Sequence, residues 1–575
     1  MGGAVKRPPV RRLVALLAVM TVAFTAIFVR LTVLQVSQAS SFRDRALDQR
    51  MRTVELSAVR GQIRDRNGEP LAISLGARDV YADPRYVQDP WATAAALAPL
   101  LEVQTTDLVE LLTRDTTFVY LARQVDRDLA DRIEELGLPG IGLLEASRRY
   151  YPAGSLAAQV LGFVGIDGEG LSGLEVRYED LLAGEAGERT QEIDPHGQPI
   201  VGGIDVERPP IAGSAVQTTI DREFQFQAEQ ALAEAVRQNR ARGGTVIVMD
   251  PNTGDVLAMA SDPSFDPNDF DASKRGSYRN RAVTDAFEPG STNKVITAAA
   301  AIDRRAIGLR HELSVPWRMD VEGFTIHDAH EHGIQRMTIG DIIAGSSNIG
   351  TVMVARRLGE SALAAYLTRF GLGRPTGVGF PGESAGILPP LYEWTDTSLA
   401  TIAYGQGIAA TPLQMAAVYA AIANDGRWVQ PRLVLGTRRP DGTFEPAPEP
   451  VTHRAVSAAT ARTVTRMLAH AVAEGTGTNA TIAGYEIAGK TGTARIPLPD
   501  RPGYYEGQYV ASFIGFLPAS DPQVVIAAIL DRPVTDYGGI AAAPLFQRIA
   551  RYAITRLSIE PGRPLRPPPS AGPRP

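Results

Sequence analysis

The stretch 288–303, EPGSTNKVITAAAAID, carries Lys294 three residues after Ser291. Lysine is rare in this chain, where 54 of the 58 basic residues are arginine and the four lysines are Lys6, Lys274, Lys294 and Lys490. Pro289 and Gly290 predict a turn, and the residues that follow predict a helix opening at Ser291. A lysine at this position therefore indicates a requirement that arginine does not meet.

That requirement is a cation that can lose its proton. Residues i and i+3 share one face of a helix, so the Ser291 hydroxyl and the Lys294 amine can meet. A serine hydroxyl is a poor nucleophile until a neighbouring base takes its proton. A lysine with a depressed pKa can do this, whereas arginine stays protonated. The pattern predicts Ser291 as nucleophile and Lys294 as base, although Ser-x-x-Lys alone is weak evidence.

A second polar group follows in AGSSNIG, at a predicted helix or helix–loop junction. The Ser346 hydroxyl can relay a proton to a leaving amine, and the Asn348 amide can hold a peptide bond. On its own, Ser-x-Asn also fits a plain polar loop.

The third group is IAGKTGTARI, whose alternation predicts a strand. Lys490, Thr491 and Thr493 offer a cation and hydroxyls for a substrate carboxylate. Gly492 leaves room for a ligand against the strand edge. The Thr493 N–H is a candidate second donor of an oxyanion hole.

Together, Ser-x-x-Lys, Ser-x-Asn and Lys-Thr-Gly in this order resemble the penicillin-binding and serine β-lactamase superfamily. The resemblance is closer to the class B penicillin-binding proteins, and within them to division-specific septal transpeptidases of the FtsI type. It extends from the apolar N-terminus to about residue 560. The stretches that carry it include RGQIRDRNGEPLA (60–72), SRRYYPAG (147–154), GFVGIDGEGLSGLE (162–175), FEPGSTNK (287–294), YGQG (404–407) and KTGTAR (490–495).

The resemblance implies a serine-type D,D-transpeptidase that needs no metal or cofactor. Ser291 would attack the D-Ala–D-Ala bond of a peptidoglycan stem peptide, Lys294 would be the base and Ser346 a proton shuttle. Lys490 would tune the local charge, while Asn348 would hold the donor amide. Thr491 and Thr493 would meet the carboxylate, and the N–H groups of Ser291 and Thr493 would form the oxyanion hole. β-Lactams would acylate Ser291, and an FtsW-type glycosyltransferase and other divisome membrane proteins would be partners.

Bulk composition limits the other classes. A net charge of −6 argues against a nucleic-acid binder. The absence of cysteine excludes disulfides, Cys-ligated zinc, iron–sulfur clusters and a Cys nucleophile.

The N-terminus predicts one membrane anchor. Residues 1–12 are basic and predicted to be cytoplasmic, and 13–36 are predicted to cross the membrane. A cleaved signal peptide is the alternative, with a weak site at SQA (37–39). In either case, residues after about 37 are expected outside the cytoplasm, at the division septum by resemblance.

The remaining chain divides by pattern. Residues 37–215 predict a mixed, non-catalytic pedestal module of the dimerisation type, and 216–560 predict the transpeptidase domain. Strands near both ends of that domain and helices between them predict an α/β (α+β) fold, an antiparallel sheet covered by helices. Residues 561–575 are Pro-rich and predicted to be disordered.

One cluster lies outside the family pattern. HDAHEH places His327, His330 and His332 with two acids in six residues. The spacing could bind a metal, but a solvated polar loop is the preferred interpretation.

Three alternatives remain open from the sequence. If water rather than an amine attacked the acyl-enzyme, the protein would be a D,D-carboxypeptidase or a β-lactamase, although no dedicated deacylating Glu is identified. A vestigial site would make it a β-lactam sensor or a division scaffold. An elongation-type class B transpeptidase would share the same motifs.

Overall fold

The computed structural model describes residues 10–38, 50–194, 200–272, 276–501, 503–535 and 537–565. The chain forms two compact units. The first combines residues up to Ala58 with Glu185–Ile211, and the second combines Val59–Gly184 with the chain from Ala212 onward. Most of the predicted cytoplasmic segment 1–12 and most of the tail 561–575 lie outside the described residues, so those predictions stay untested.

The first unit contains the apolar N-terminal helix. An α-helix spans Val10–Thr32, and one π-helical turn, Val33–Ser37, continues it. The α-helix buries none of its residues, and the span Val10–Val36 is long and apolar enough to cross a membrane. This matches the predicted anchor at 13–36. The same unit holds a three-stranded antiparallel sheet in which Met51–Leu56 and Asp205–Arg208 flank Gly187–Glu192.

The second unit is built on a five-stranded antiparallel sheet. Its spatial order is Val256–Asp262, Gly243–Met249, Val524–Asp531, Tyr504–Leu517 and Ala488–Pro497. The inner strands Gly243–Met249 and Val524–Asp531 are buried over nearly their whole length, as in GGTVIVM, because both sheet faces are covered there. Val246 and Val248 face helices Arg222–Gln238 and Gly538–Arg556, whereas Ile247 and Met249 face the other core. The predicted antiparallel sheet covered by helices is confirmed.

Helices from the middle of the sequence fill the core on the sheet face of Ile247 and Met249. Pro412–Ala423 is buried along its whole length and starts with a capping box between Thr411 and Gln414. The other helices of this part are Arg281–Thr284, Lys294–Asp303, Ile339–Ala344, Asn348–Leu358, Glu360–Arg369, Asp396–Ala403 and Ala458–Ala473, with 3-10 turns at Pro267–Asp269, Gly290–Asn293, Leu391–Glu393 and Thr478–Ala480. Short strands lie at Leu313–Val315, Arg318–Val321, Phe324–His327, Gln335–Met337, Arg427–Val429, Phe444–Pro446 and Thr452–Arg454.

Strands of the pedestal segment form another sheet, and strands from later in the sequence pair with them in it. Its order includes Val434–Arg438, Ala215–Thr218, Ile63–Arg64, Pro70–Ala82 and Val119–Asp126, and Ile141–Tyr150 pairs with Pro70–Ala82. Its helices are Pro90–Leu101, Thr105–Leu112, Arg127–Glu135, Ala158–Leu161, Gly173–Arg177 and Glu179–Leu182, with a 3-10 turn at Pro84–Tyr86. The division at residue 215/216 remains a prediction, because the strands on both sides of it pair in one sheet.

Two element boundaries differ from the sequence prediction. The stretch APLFQRIARYAITRL (543–557) predicts the last helix, but that helix begins at Gly538, five residues earlier, and Pro544 lies inside it. Its first N–H donates to Thr493 Oγ1 at 3.1 Å, a tertiary contact that local sequence does not reveal. The amphipathic stretch 221–242 predicts a long helix, but that helix ends at Gln238, because Arg240 adopts a left-handed conformation.

A buried ion network joins three distant pedestal segments. Glu175 is fully buried and accepts hydrogen bonds from Arg60 Nε at 2.8 Å and from Arg149 Nε at 2.7 Å. Tyr151 donates its hydroxyl to the same carboxylate at 3.2 Å. Removing one partner from a buried charge network leaves the others uncompensated.

We expect Glu175→Ala to lower the free energy of unfolding by about 3–5 kcal/mol, because the buried Arg149 guanidinium loses its counter-charge and Arg60 keeps only Glu179. Denaturant unfolding followed by circular dichroism measures this. Glu145 is the matched control, since it also bridges two arginines, Arg78 and Arg127, but is 56% exposed. Glu145→Ala should cost less than about 1 kcal/mol. Equal losses in the two variants would contradict the importance of the buried network.

Candidate active site

The turn that carries Ser291 is fixed through its neighbours. It is a 3-10 turn, Gly290–Asn293, that leads into the α-helix Lys294–Asp303, so the α-helix predicted to open at Ser291 begins after that turn. Three bonds hold it from outside: the N–H of Gly290 donates to Gly405 O at 2.9 Å, Asn293 Nδ2 to Ile402 O at 2.8 Å and the Tyr419 hydroxyl to Thr292 O at 3.0 Å. Ser291 stays partly exposed on this rigid support.

This turn packs directly on the edge strand Ala488–Pro497 of the central sheet. Gly290 has φ +54°, and a Cβ there would lie 3.2 Å from Ala494 Cβ and 3.3 Å from Thr493 O. A side chain at this position would strain the backbone and press on the strand. The Lys-Thr-Gly segment is therefore brought beside Ser291.

The structural reason for Gly492 differs from the predicted one. A Cβ on Gly492 would lie 2.3 Å from Ser512 Oγ and 2.9 Å from Thr292 Cγ2. The missing side chain thus makes room for the protein's own packing between the strand and the nucleophile turn. That Gly492 also leaves room for a ligand stays a prediction.

The Lys294 side chain joins two of the predicted motifs. Its amine is fully buried and donates to Ser346 O at 2.5 Å, to Asn348 Oδ1 at 2.7 Å and to Ser346 Oγ at 3.2 Å. Within the residues that the structure describes, it makes no hydrogen bond to the Ser291 hydroxyl. The amine is therefore held by the Ser-x-Asn motif, one helical turn from the serine it is predicted to activate.

Burial also sets the charge of this amine. Desolvation lowers the pKa of Lys294 well below its ordinary value, the nearby charge of Lys490 lowers it further, and Asp328 opposes both. Burial lowers the pKa of Lys490 to about 7. An amine with a lowered pKa is available as a neutral base near physiological pH.

Lys490 lies inside the fold rather than at the surface. It is 1% exposed, and its amine lies 3.3 Å from Thr491 O, 3.4 Å from Thr491 Oγ1 and 3.4 Å from Thr476 Oγ1. Thr476 and Thr491 also share a hydrogen bond of 2.8 Å between their hydroxyls. Thr493 is partly exposed, so it is the more accessible hydroxyl of the Lys-Thr-Gly-Thr strand.

The Ser-x-Asn motif is a strained junction between two helices. Ser346 follows Ile339–Ala344 and has φ +58°, which is uncommon for a residue other than glycine. Ser347 caps the next helix, Asn348–Leu358, and accepts the N–H of Gly350 at 2.8 Å. Backbone strain of this kind is typical of functional sites. The predicted helix–loop junction is confirmed.

Asp328 is a residue of the site that the sequence analysis missed. The prediction of a solvated polar loop for HDAHEH is wrong for this residue, which is 6% exposed. Asp328 Oδ1 accepts the N–H groups of Asn348 at 2.5 Å and Ile349 at 3.0 Å, and Oδ2 accepts the Ser347 hydroxyl at 2.7 Å. The carboxylate therefore fixes the start of the helix that presents Asn348.

The three histidines of this cluster have different surroundings. His327 and His330 are exposed, as expected for a polar loop, and the His330 ring lies 6.4 Å from that of Tyr537. His332 instead contacts Asp328 Oδ2 through Nε2 at 3.1 Å. Among the described residues, no group of three or more His, Asp or Glu side chains is arranged to hold a metal ion.

Sequence comparisons assign both parts of the chain. Residues 244–551 match the penicillin binding protein transpeptidase domain, and residues 55–218 match the penicillin-binding protein dimerisation domain. The chain is 38% identical to penicillin-binding protein PbpB of Mycobacterium tuberculosis, over 96% of this chain and 85% of that protein. It is 36% identical to peptidoglycan D,D-transpeptidase FtsI of Escherichia coli K12, over 89% of this chain and 86% of that protein.

Solved structures agree with this assignment. The crystal structure of penicillin binding protein 3 from Mycobacterium tuberculosis, complexed with aztreonam, aligns with a TM-score of 0.71 and 34% identity. The alignment covers 90% of this chain and all of that one. With its dimerisation and transpeptidase domains, the chain belongs to the class B penicillin-binding proteins.

Proposed function

We propose that this chain is a septal peptidoglycan D,D-transpeptidase, which cross-links stem peptides through an acyl-enzyme on Ser291 during cell division. The observation that carries the proposal is the fully buried Lys294 amine, held by Ser346 and Asn348 next to a serine on a rigid turn. A relative named peptidoglycan D,D-transpeptidase and a relative solved with aztreonam support it.

Acylation uses the lowered basicity of Lys294. The neutral amine takes the proton of the Ser291 hydroxyl as the oxygen attacks the carbonyl of the penultimate D-Ala. The C–N bond to the terminal D-Ala then breaks, and the leaving amine receives a proton through Ser346, whose hydroxyl lies 3.2 Å from Lys294 Nζ. The N–H groups of Ser291 and Thr493 are the proposed donors to the oxyanion.

Binding of the donor peptide is assigned to the groups around this centre. Asn348 has its Oδ1 on Lys294 and its Nδ2 on His327 O at 3.0 Å, so its orientation is fixed before substrate arrives. Thr491 and Thr493 are the proposed contacts for the substrate carboxylate, with Lys490 behind them as a buried source of positive potential.

An amine of a second stem peptide completes the cycle by attacking the acyl-enzyme, which forms the cross-link and frees Ser291. β-Lactams enter the same first step and acylate the same hydroxyl. The apolar helix Val10–Val36 fits a single-pass anchor, with the catalytic part outside the cytoplasmic membrane. A polymerising glycosyltransferase of the FtsW type is the proposed membrane partner.

The nucleophile assignment can be tested by labelling. We expect Ser291→Ala to abolish covalent labelling by a fluorescent penicillin while the melting temperature and the membrane insertion stay unchanged, because the hydroxyl forms the ester. Ser361→Ala, at an exposed serine on helix Glu360–Arg369, is the control and should label like the unmodified protein. Labelling that persists in the Ser291 variant would refute the assignment.

The charge of Lys490 should appear in the pH profile of acylation. The rate rises with pH as Lys294 loses its proton, and the positive charge of Lys490 lowers the pKa at which this happens. In Lys490→Met that charge is gone, so the pKa of Lys294 rises. The acid limb, which is the part of the pH profile where the acylation rate rises with pH, then moves to higher pH. Stopped-flow acylation by a chromogenic β-lactam measures the limb.

Lys490→Arg keeps the charge and serves as the control for this shift. Its acid limb should stay within the range of the unmodified protein even if the plateau rate falls. An acid limb of Lys490→Met at or below that of the unmodified protein would contradict the coupling between the two lysines.

The division role has its own test in the native cell. Depletion of the protein should give filaments without septa, since cross-linking at the septum is lost while elongation continues. Rounded cells would indicate an elongation-type enzyme instead. Normal growth and shape would favour a hydrolase or a β-lactam sensor, and would contradict the proposed role.

A further inference from the structure

His332 makes contacts that determine its protonation. Its Nε2 lies 3.1 Å from Asp328 Oδ2, and its Nδ1 lies 2.6 Å from Gly333 O. A backbone carbonyl and an ionised carboxylate can only accept hydrogen bonds. A neutral imidazole has one N–H and would leave one of these contacts without a proton. The geometry therefore calls for the imidazolium form, in which both ring nitrogens donate.

The other partners of Asp328 are hydrogen-bond donors. Its oxygens face two backbone N–H groups, those of Asn348 and Ile349, and the hydroxyl of Ser347. The Ser347 hydroxyl already accepts the Gly350 N–H, so its own proton points toward Asp328. Both oxygens of Asp328 therefore act as hydrogen-bond acceptors toward this turn.

This carboxylate is connected to the reacting groups in two ways. It fixes the first residues of helix Asn348–Leu358, and the Asn348 side chain and Ser346 carbonyl in turn hold the Lys294 amine. Its negative charge also acts on Lys294, where it favours the protonated form. A change at Asp328 is therefore expected to alter both the position and the basicity of Lys294.

We propose that His332 is a positioning residue for acyl transfer: as an imidazolium it anchors Asp328 against the Ser347–Asn348 turn and offsets the charge that Asp328 directs at Lys294. This inference rests on the proposed function and extends it to a residue that does not touch substrate. His332 therefore assists the base through Asp328.

The charged groups around this pair set the sign of its pH dependence. Asp328 faces His332 from the same loop, Lys294 faces Asp328 from helix Lys294–Asp303, and Lys490 faces Lys294 from the edge strand. Burial disfavours the charged ring, but hydrogen bonds to Gly333 and Asp328 outweigh it and raise the pKa of His332. The imidazolium is thus present below this raised pKa and is lost as pH rises through it.

The test compares pH profiles of acylation by a chromogenic β-lactam in the full-length protein. In His332→Gln the offsetting charge is gone, so the acid limb should move to higher pH and the rate at neutral pH should fall about tenfold, the loss expected for one charge-assisted hydrogen bond. In Asp328→Asn the limb should move to lower pH, because the group that favours protonated Lys294 is neutral, while the plateau rate falls.

His330→Gln is the matched control, since His330 is exposed on the same loop and contacts Tyr537 rather than Asp328. It should reproduce the unmodified profile. A purely structural role would lower the plateau in both variants without moving their limbs in opposite directions. Limbs unchanged in both His332→Gln and Asp328→Asn would overturn the inference.

Nuclear magnetic resonance of the full-length protein with labelled histidine gives a readout independent of acylation. The His332 ring should carry protons on both nitrogens at pH 7, and this signal should be absent from His332→Gln. A neutral His332 ring at pH 7 would overturn the inference even if acylation is normal. Failure of the unmodified protein to acylate would instead overturn the proposed function.

Discussion

Two lysine amines buried in one site are the constraint around which this protein is built. Taking an ammonium group out of water costs several kcal/mol, so the fold favours proton loss from Lys294 and Lys490. The surrounding groups are mainly neutral oxygens: a backbone carbonyl, hydroxyls and an amide. A strong counter-ion in direct contact would stabilise the charge and remove the basicity. Asp328 acts from farther away, through the turn that it anchors.

The same constraint explains why the site is spread over distant segments. The base lies on the helix Lys294–Asp303, its hydrogen-bond acceptors lie at the junction before the helix Asn348–Leu358, and the second lysine lies on the sheet edge. The rigid support comes from backbone contacts at Gly290 and Gly492, where side chains would separate the turn from the strand. The same close packing of the turn against the strand therefore fills the core and holds Ser291 in position.

The parts of this arrangement that depend on local pattern are predictable from the sequence. The apolar strands and the amphipathic helices have short-range signals, and the antiparallel sheet covered by helices formed as predicted, although helix ends shifted by several residues. Asp328 could not be found this way, because its partners at Asn348 and Ile349 lie 20 and 21 residues away and share no periodicity with it. The early start at Gly538 and the packing role of Gly492 were missed for the same reason, since both depend on a strand far away in sequence.

The shared pedestal sheet has a consequence for where this chain can be cut. Ala215–Thr218 lies between Ile63–Arg64, to which it is parallel, and Val434–Arg438, to which it is antiparallel. A fragment beginning after this strand would expose the edge of Val434–Arg438, a row of unpaired backbone groups open to association with another chain. Proteolysis of the chain beside this strand need not separate the two parts either, because the hydrogen bonds between the strands persist after the peptide bond is cut. Interstrand hydrogen bonds therefore define the domain boundary of this protein more firmly than its linear sequence does.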